Sequence, residues 1–269
     1  MAGGVCLLRA SNHAAGRVID LHSHLLPAVD DGSRSVEQSV KVLFEMARQG
    51  VTDVCLTPHL RAGRAEAGPP VAHNRAFDAL VAQAPQMPRL HRGAEIMLDR
   101  PIGRPVAMAR NVTLGGSRYI LVEFPRLVAH DTVSNALSQV VELGLTPILA
   151  HPERYSCCSV DAVRYWRSRG CKTQVDATTV LASQARGQRA RLLVSEGLAD
   201  ILAGDNHGDD RTVATGARFL RAQDGFDQVD LLVRRNPAAI LADGELQPVP
   251  PLRIRQSWMS RIKQFLEGS

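Results

Sequence analysis

Short apolar runs alternate with amphipathic stretches along most of this chain, and each run ends in polar residues. The first, Val18-Ile19-Asp20-Leu21, reads as the centre of a buried strand over about 17–24, with Leu7 and Leu8 upstream. A loop from Leu25 to Arg34 follows, in which Asp30 suits a turn start and Gly32 a positive φ. Ser35 with Gln38 forms a capping-box pattern that opens a helix to Arg48, and Gly50 ends it. Val36, Val40, Leu43, Phe44 and Ala47 supply the apolar stripe expected of that helix.

The same alternation continues. A second strand covers 53–57 and stops at Pro58-His59, a polar loop covers 60–72, and a helix lies near 73–84. Strand three spans about 89–96 with Gly93-Ala94-Glu95 at its end, and strand four spans 119–124. A helix near 131–143 stops at Gly144, after which Pro147-Ile148-Leu149-Ala150 runs into His151-Pro152-Glu153-Arg154. A helix at 159–169, a strand at about 172–177 and a helix near 183–196 lead to the seventh strand, 200–203, which ends at Gly204-Asp205-Asn206-His207. Helical stretches at about 210–222 and 226–242 complete the pattern. Strand–helix alternation of this kind predicts an α/β fold of parallel strands with right-handed crossovers.

An open sheet and a closed barrel both satisfy that pattern. The polar residues favour the barrel: His22, His24, His59, Glu95, Glu123, His151, Asp205 and His207 all fall at strand C-terminal ends. A barrel gathers such ends around one mouth, whereas an open sheet spreads them along an edge. The organisation expected is a tail over 1–16, one distorted (β/α)7 barrel over 17–245, and a basic amphipathic segment over 246–269.

Composition narrows the function. The net charge is +5, and of 32 Lys and Arg residues only Lys41, Lys172 and Lys263 are lysine. That charge is mild and dispersed, and aromatic content is 4%, so neither an electrostatic footprint nor a stacking surface for nucleic acid is indicated. Five cysteines without a C-x-x-C pair exclude a disulfide framework or zinc ribbon and fit a reducing cytoplasm. The first 17 residues lack the sustained apolar core of a signal peptide, and no apolar run is long enough to span a membrane.

The candidate chemistry is metal chemistry. His22 and His24 stand at i and i+2, so on a strand they share a face and can grip one ion together. Five of the nine histidines converge with several carboxylates at the expected mouth, a donor set for divalent ions such as Zn, Mn or Fe.

These motifs carry a resemblance. The run Asp20-Leu21-His22-Ser23-His24-Leu25-Leu26-Pro27 with Asp30-Asp31-Gly32 is the first of them, then Thr57-Pro58-His59 and Gly93-Ala94-Glu95. Leu121-Val122-Glu123-Phe124-Pro125, His151-Pro152-Glu153-Arg154 and Asp205-Asn206-His207 complete the set. Together they resemble the bacterial metal-dependent protein-tyrosine phosphatases of capsule and exopolysaccharide clusters (CpsB/CapC type), within the polymerase-and-histidinol-phosphatase (PHP) superfamily.

The resemblance implies a phosphoric monoester hydrolase with a PHP-like barrel holding three divalent ions, often Mn²⁺, with Fe or Zn as alternatives. One ion is expected on His22, His24, Glu95 and Asp205, a second between Asp31, His59 and His207, and a third on Glu95, Glu123 and His151. Arg154 is the expected phosphate-binding residue, with Arg211 a weaker second candidate, and a metal-activated hydroxide rather than a side chain is the expected nucleophile. The expected substrate is a tyrosine-phosphorylated protein, the tail of an exopolysaccharide-synthesis kinase.

This chain departs from the pattern in its basic loop Arg61, Arg64, Gly68, Pro69, Pro70, and in Asn206 and Gly208 beside the ligands. The alternative enzyme reading keeps the metals and takes a small phosphate monoester; a non-enzymatic reading is a scaffold that binds a phosphorylated tail. Cys158 to Arg164 matches the Cys-x5-Arg spacing of cysteine-dependent phosphatases, but the intervening residues contain no glycine and read as a helix start. The segment holding Leu252, Ile254, Trp258, Ile262, Phe265 and Leu266 among basic residues either packs back on the barrel or touches an anionic membrane surface or a kinase. A homo-oligomer is among the assemblies the sequence allows.

Overall fold

The structure, a computed structural model, describes residues 17–255. The tail over 1–16 and the end of the basic segment, 256–269, lie outside the described residues. All strand pairs are parallel, in two sheets of order β1-β2-β4 and β3-β5-β6-β7-β8-β9. The strands are β1 (Val18–Asp20), β2 (Val51–Leu56), β3 (His59–Arg61), β4 (Arg89–Arg92), β5 (Glu95–Met97), β6 (Tyr119–Glu123), β7 (Thr146–Ala150), β8 (Lys172–Asp176) and β9 (Ile201–Ala203).

Two of the expected strands are each broken in the middle. β2 stops at Leu56 and resumes as β3 beyond Thr57-Pro58, and β4 stops at Arg92 and resumes as β5 beyond Gly93-Ala94. Pro58 has no N–H to give to a ladder. Single bonds carry the chain across the gaps: Gly93 N–H to Leu56 O at 3.0 Å and Glu95 N–H to Pro58 O at 3.1 Å. At Gly93 a Cβ would stand 2.9 Å from Cys55 Sγ and 3.1 Å from Leu114, so only glycine lets the break pack on the barrel interior. Counting each broken pair as one unit, the order is the expected seven-fold ring. The ring is not closed by a ladder, however. β9 and β1 meet beyond their ends at the isolated bridge Ser23–Asn206, with His24 N–H to Asn206 O at 2.7 Å and Asp205 N–H to His22 O at 3.0 Å.

Helices α1 (Val36–Arg48), α2 (Ala62–Ala65), α3 (Val71–Val81), α4 (Arg104–Ala109), α5 (His130–Glu142), α6 (Val160–Ser168) and α7 (Ala185–Ser195) join the strands. α8 (Val213–Arg221), α9 (Phe226–Asp230) and α10 (Asn236–Leu241) follow, the last two joined by a π-helical turn at Leu231–Arg235. Pro237, which has no N–H, sits in the first turn of α10 beside that irregularity. β3 and α2 occupy the stretch read as a loop over 60–72; three- and four-residue elements show no period to read.

The helix starts follow their capping residues. Ser35 Oγ accepts the Gln38 N–H at 3.2 Å, and Ser159 Oγ accepts the Ala162 N–H at 3.1 Å. Gly50, Gly144 and Gly170 end their helices at positive φ. The stripe of α1 is rotated from the expected one. Its buried residues are Ser39, Val42, Leu43 and Met46, while Phe44 is 53% exposed. Ser39 can face inward because its hydroxyl donates to the Leu25 carbonyl at 2.8 Å.

Alternation sorts each strand into two cores. Ile120 and Val122 of β6 join the cluster between strands and helices, while Tyr119 and Leu121 join Ile19, Ile148 and Ile201 inside the ring. The same parity turns Glu123 inward at the end of β6. On β5 and β8, Ile96 and Val175 face the helices, so Glu95, Gln174 and Asp176 face the interior. Val249 and Leu252, in the first part of the C-terminal segment, are buried against the outer core.

Candidate metal centre

The segment beyond β1 carries His22 and His24, both without solvent exposure. Their Nε2 atoms lie 3.1 Å apart, as their shared strand face requires. Glu95 Oε2 and Asp205 Oδ1 lie beside them. His22 Nε2 is 3.3 Å from each oxygen, and His24 Nε2 is 3.4 Å from each. Neither oxygen has a hydrogen-bond partner, although both are buried.

A buried carboxylate oxygen without a donor is costly, and the spacing shows what would satisfy it. His22 Nε2, His24 Nε2 and Asp205 Oδ1 form a triangle with edges of 3.1–3.4 Å, which one divalent ion can reach from all three at bonding length, while Glu95 groups with His22 and His151 and with His59 and Glu123. Two further groups adjoin this one. Asp31, His59 and His207 gather with His24, the His59 and His207 Nε2 atoms lying 3.4 and 3.5 Å from Asp31 Oδ1. His59 Nδ1 lies 3.1 Å from Glu95 Oε2 and 3.0 Å from Glu123 Oε1. His151 Nε2 reaches the other Glu95 oxygen at 2.9 Å.

All nine residues expected as ligands are therefore brought together, with Glu95 at the centre of the cluster. Their grouping differs from the expected one: His22, His24 and Asp205 group without Glu95, Glu123 shares its group with His59 and Glu95, and His151 shares its own with His22 and Glu95.

Three histidines are aimed by partners that sequence reading missed. His22 Nδ1 donates to Gln174 Oε1 at 2.9 Å, His24 Nδ1 to Asp30 Oδ2 at 2.8 Å, and His207 Nδ1 to the Asp205 carbonyl at 2.9 Å. Each bond fixes the proton on Nδ1 and leaves the Nε2 lone pair facing the cluster. Asp30, read as a turn residue, also accepts the backbone N–H of His59 at 3.1 Å. The only signal of Gln174 and Asp176 was their inward parity on β8.

Gly32 serves packing rather than φ: it is not among the positive-φ glycines, and a Cβ there would fall 2.0 Å from the His24 carbonyl. His151 and Asp205, in contrast, take φ of 34° and 47°, a costly region for side chains with a Cβ. Asp20 supports Asp205 from below, since its Oδ1 accepts N–H bonds from Gly204 at 2.9 Å and His22 at 3.3 Å.

Electrostatics match the geometry. Burial opposes the charge of Glu95, yet His22 and His151 hold its carboxyl well below the usual range; His22, His24 and Arg154 do the same to Asp205 against its burial. Burial opposes the charge of His59 too, but Glu123 and Glu95 raise its pKa to about 10. The cavity thus stabilises positive charge at its centre.

Arg154 turns back into this cluster. Its Nη2 donates to Asp176 Oδ2 at 2.9 Å and to Asp205 Oδ2, while its buried Nε has no partner. Arg211 lies at the rim, with Nη1 3.9 Å from Asp205 Oδ2 and Nε donating to Asp209 at 2.8 Å. Cys158 and Arg164 do not form a phosphate cradle. Arg164 Nη2 is paired with Glu196 at 2.7 Å, and burial pushes the Cys158 thiol up to about 12, so no thiolate is available near neutral pH.

Comparison with known proteins decides the family. The model of the capsular polysaccharide synthesis family CpsB/CapC matches residues 18–242. This chain belongs to the CpsB/CapC family. The tyrosine-protein phosphatase CpsB of Streptococcus agalactiae is 28% identical over 239 residues, covering 83% of this chain and 98% of that protein. CpsB of Streptococcus pneumoniae is 31% identical over 213 residues, covering 72% and 84%. A solved structure from work on YwqE of Bacillus subtilis and CpsB of S. pneumoniae, described as unique metal-dependent tyrosine phosphatases, superposes with a TM-score of 0.72 at 23% identity. It covers 88% of this chain and all of that one, and at this identity it supports the CpsB/CapC fold. Among the described residues, no helix of this family member is long and apolar enough to cross a membrane.

Proposed function

We propose that this CpsB/CapC chain is a metal-dependent protein-tyrosine phosphatase, and that His22, His24, Asp31, His59, Glu95, Glu123, His151, Asp205 and His207 hold its ions. Three divalent ions, Mn²⁺ foremost, suit the adjoining donor groups. The observation that carries the reading is the trio of His22, His24 and Asp205, whose spacing fits one ion, with Glu95 beside it, and the buried Asp205 Oδ1 and Glu95 Oε2 atoms, which lack any donor. Held by these residues, divalent ions would supply charge neutralisation for phosphate oxygens and a water acidic enough to attack at neutral pH.

The chain's own residues do the rest. Gln174, Asp30 and the Asp205 carbonyl keep three imidazoles turned toward the cluster. Asp176 fixes Arg154 beside Asp205, where its fork can receive phosphate oxygens, and Arg211 closes the rim from the opposite loop. Buried Leu121, Ile148 and Ala150 floor the cavity and keep bulk water from below. Phosphotyrosine suits such a site, because phenolate leaves far more readily than an alkoxide and needs charge neutralisation more than a strong acid. The substrate proposed is the phosphorylated tail of an exopolysaccharide-synthesis tyrosine kinase, met in the cytoplasm.

The test is hydrolysis of a phosphotyrosine peptide after chelation and after Mn²⁺ add-back, with bound metal quantified alongside. Activity lost on chelation and restored by Mn²⁺ is expected. Activity that survives complete metal removal, or no phosphotyrosine hydrolysis from protein with its metal bound, refutes the assignment.

A further inference from the structure

The loops that follow β6, β7 and β8 lie side by side at the mouth, because those three strands are neighbours in one parallel sheet. Each delivers an arginine: Arg126 after β6, Arg154 after β7 and Arg186 in the first turn of α7 after β8. The loops are fastened to one another. The Ser156 N–H donates to the Arg126 carbonyl at 2.8 Å, and Arg189 Nε from α7 donates to the Glu153 carbonyl at 2.9 Å.

Of the three arginines only Arg154 is neutralised. Among the described residues, neither the Arg126 nor the Arg186 side chain has a hydrogen bond or ion pair, and the two acids that face Arg186, Glu153 and Asp176, are both engaged, Glu153 Oε1 accepting the Asp176 N–H at 2.9 Å. Asp176 Oδ2 accepts from Arg154, and its Oδ1 accepts from the Thr178 N–H and hydroxyl at 2.8 Å each. Arg186 is placed against electrostatic preference, a cation in the opening turn of an eleven-residue helix whose N-cap Gln184 supplies no side-chain cap. Burial first, then Arg154 and Arg126, push its guanidinium below the usual value, so these like charges feel one another. Unpaired cations held together beside a phosphate-binding arginine are a receptor for a second anion.

We propose that Arg126 and Arg186 form an anion subsite next to the reaction centre, which receives a carboxylate or second phosphate flanking the phosphotyrosine. The preferred substrates are accordingly acidic or multiply phosphorylated tyrosine segments rather than isolated phosphotyrosines. This rests on the phosphatase reading above and adds a residue-level basis for choosing among its peptides.

The experiment uses the full metal-loaded chain with three substrates: a phosphotyrosine peptide with Asp/Glu flanks, one of equal length with Ser/Gly flanks, and p-nitrophenyl phosphate. Wild type should favour the acidic peptide by about tenfold in kcat/KM, carried by KM and shrinking as salt rises. The double variant Arg126→Ala/Arg186→Ala should lose that preference while its rates on the other two substrates stay unchanged, and Arg186→Lys should keep most of it. A wild type without preference, a preference that survives the double substitution, or an equal loss on all three substrates overturns the subsite. Should no substrate be hydrolysed, the phosphatase reading falls by itself, and anisotropy of the same labelled peptides still decides the subsite. The acidic peptide should then bind about tenfold more weakly to the double variant, and equal affinities would refute it.

Discussion

Replacing Gln174 by leucine, nearly its equal in size, isolates the aiming of His22 from the ligand itself. Gln174 Oε1 is the acceptor for His22 Nδ1 at 2.9 Å, and both side chains are fully buried. Without it the imidazole loses the bond that fixes its proton, and its Nε2 is free to lose register with His24, Glu95 and Asp205. Loss of such a supporting partner typically costs 10–100-fold in metal affinity, about 1.4–2.7 kcal/mol. The metal-free protein should also lose about 1–3 kcal/mol, because a buried N–H is left without an acceptor. Gln174 Nε2 has no partner to begin with, so removing it adds nothing to that cost. Equilibrium dialysis against Mn²⁺ reads the affinity, and thermal melting of the stripped protein reads the stability. Gln174→Glu, which keeps an acceptor at the same place, should retain near-normal affinity. A folded Gln174→Leu protein that binds Mn²⁺ like wild type would show that His22 is not oriented by this bond.

Other expectations follow from the same geometry. Asp53, fully buried, accepts from Arg17 at 2.8 Å and lies 2.9 Å from His91 Nε2; burial opposes its charge, but Arg17, His91 and Thr52 lower its pKa to about 2. A depressed carboxyl stabilises the fold above its unfolded pKa, and that stability is lost as pH falls from about 4 through about 2. Asp53→Asn should therefore cost about 1–2 kcal/mol at pH 7, with the deficit closing in acid, as followed by urea melts across pH; an equal deficit at every pH would refute the linkage. Gly204→Ala would place a Cβ 2.6 Å from Asp20 Oδ2 and 3.2 Å from the Val213 nitrogen, and should destabilise by about 1–3 kcal/mol and lower metal content by displacing Asp205; an unchanged melting temperature would contradict the packing. Cys158→Ser should leave phosphatase turnover within about twofold, since its half-buried thiol stays protonated; a collapse in rate would revive thiolate chemistry.

The sequence was most informative where one residue type has one physical use. Ser35 as an N-cap, Gly50 and Gly144 as helix ends, and histidines or carboxylates at strand ends all read correctly, because each signal is local. The nine residues of the cluster could be collected this way, and the motifs joined them to one family. What escaped depended on distant neighbours. The core face of α1 is set by a serine whose hydroxyl meets the Leu25 carbonyl, and no hydropathy pattern records that bond. The breaks at Pro58 and Gly93 split the barrel into two sheets, though each interrupted stretch looks like one strand in the chain. Gln174 and Asp176 are ordinary polar residues until His22 and Arg154 arrive beside them from segments 152 and 22 residues away.

The bridge between Ser23 and Asn206 orders the life of the molecule in time. His22 and His24 are among the first described residues to emerge during synthesis, while Asp205 and His207 follow some 180 residues later. At ribosomal speeds of about 5–20 residues per second, the two histidines wait roughly ten to forty seconds before their partners exist. The β strands between them can pair in sequence during that interval, each beside its predecessor. The reaction centre cannot. It is assembled when the two ends of the ring meet, and any nascent fragment that stops short of Asp205 lacks two of the nine residues of the cluster.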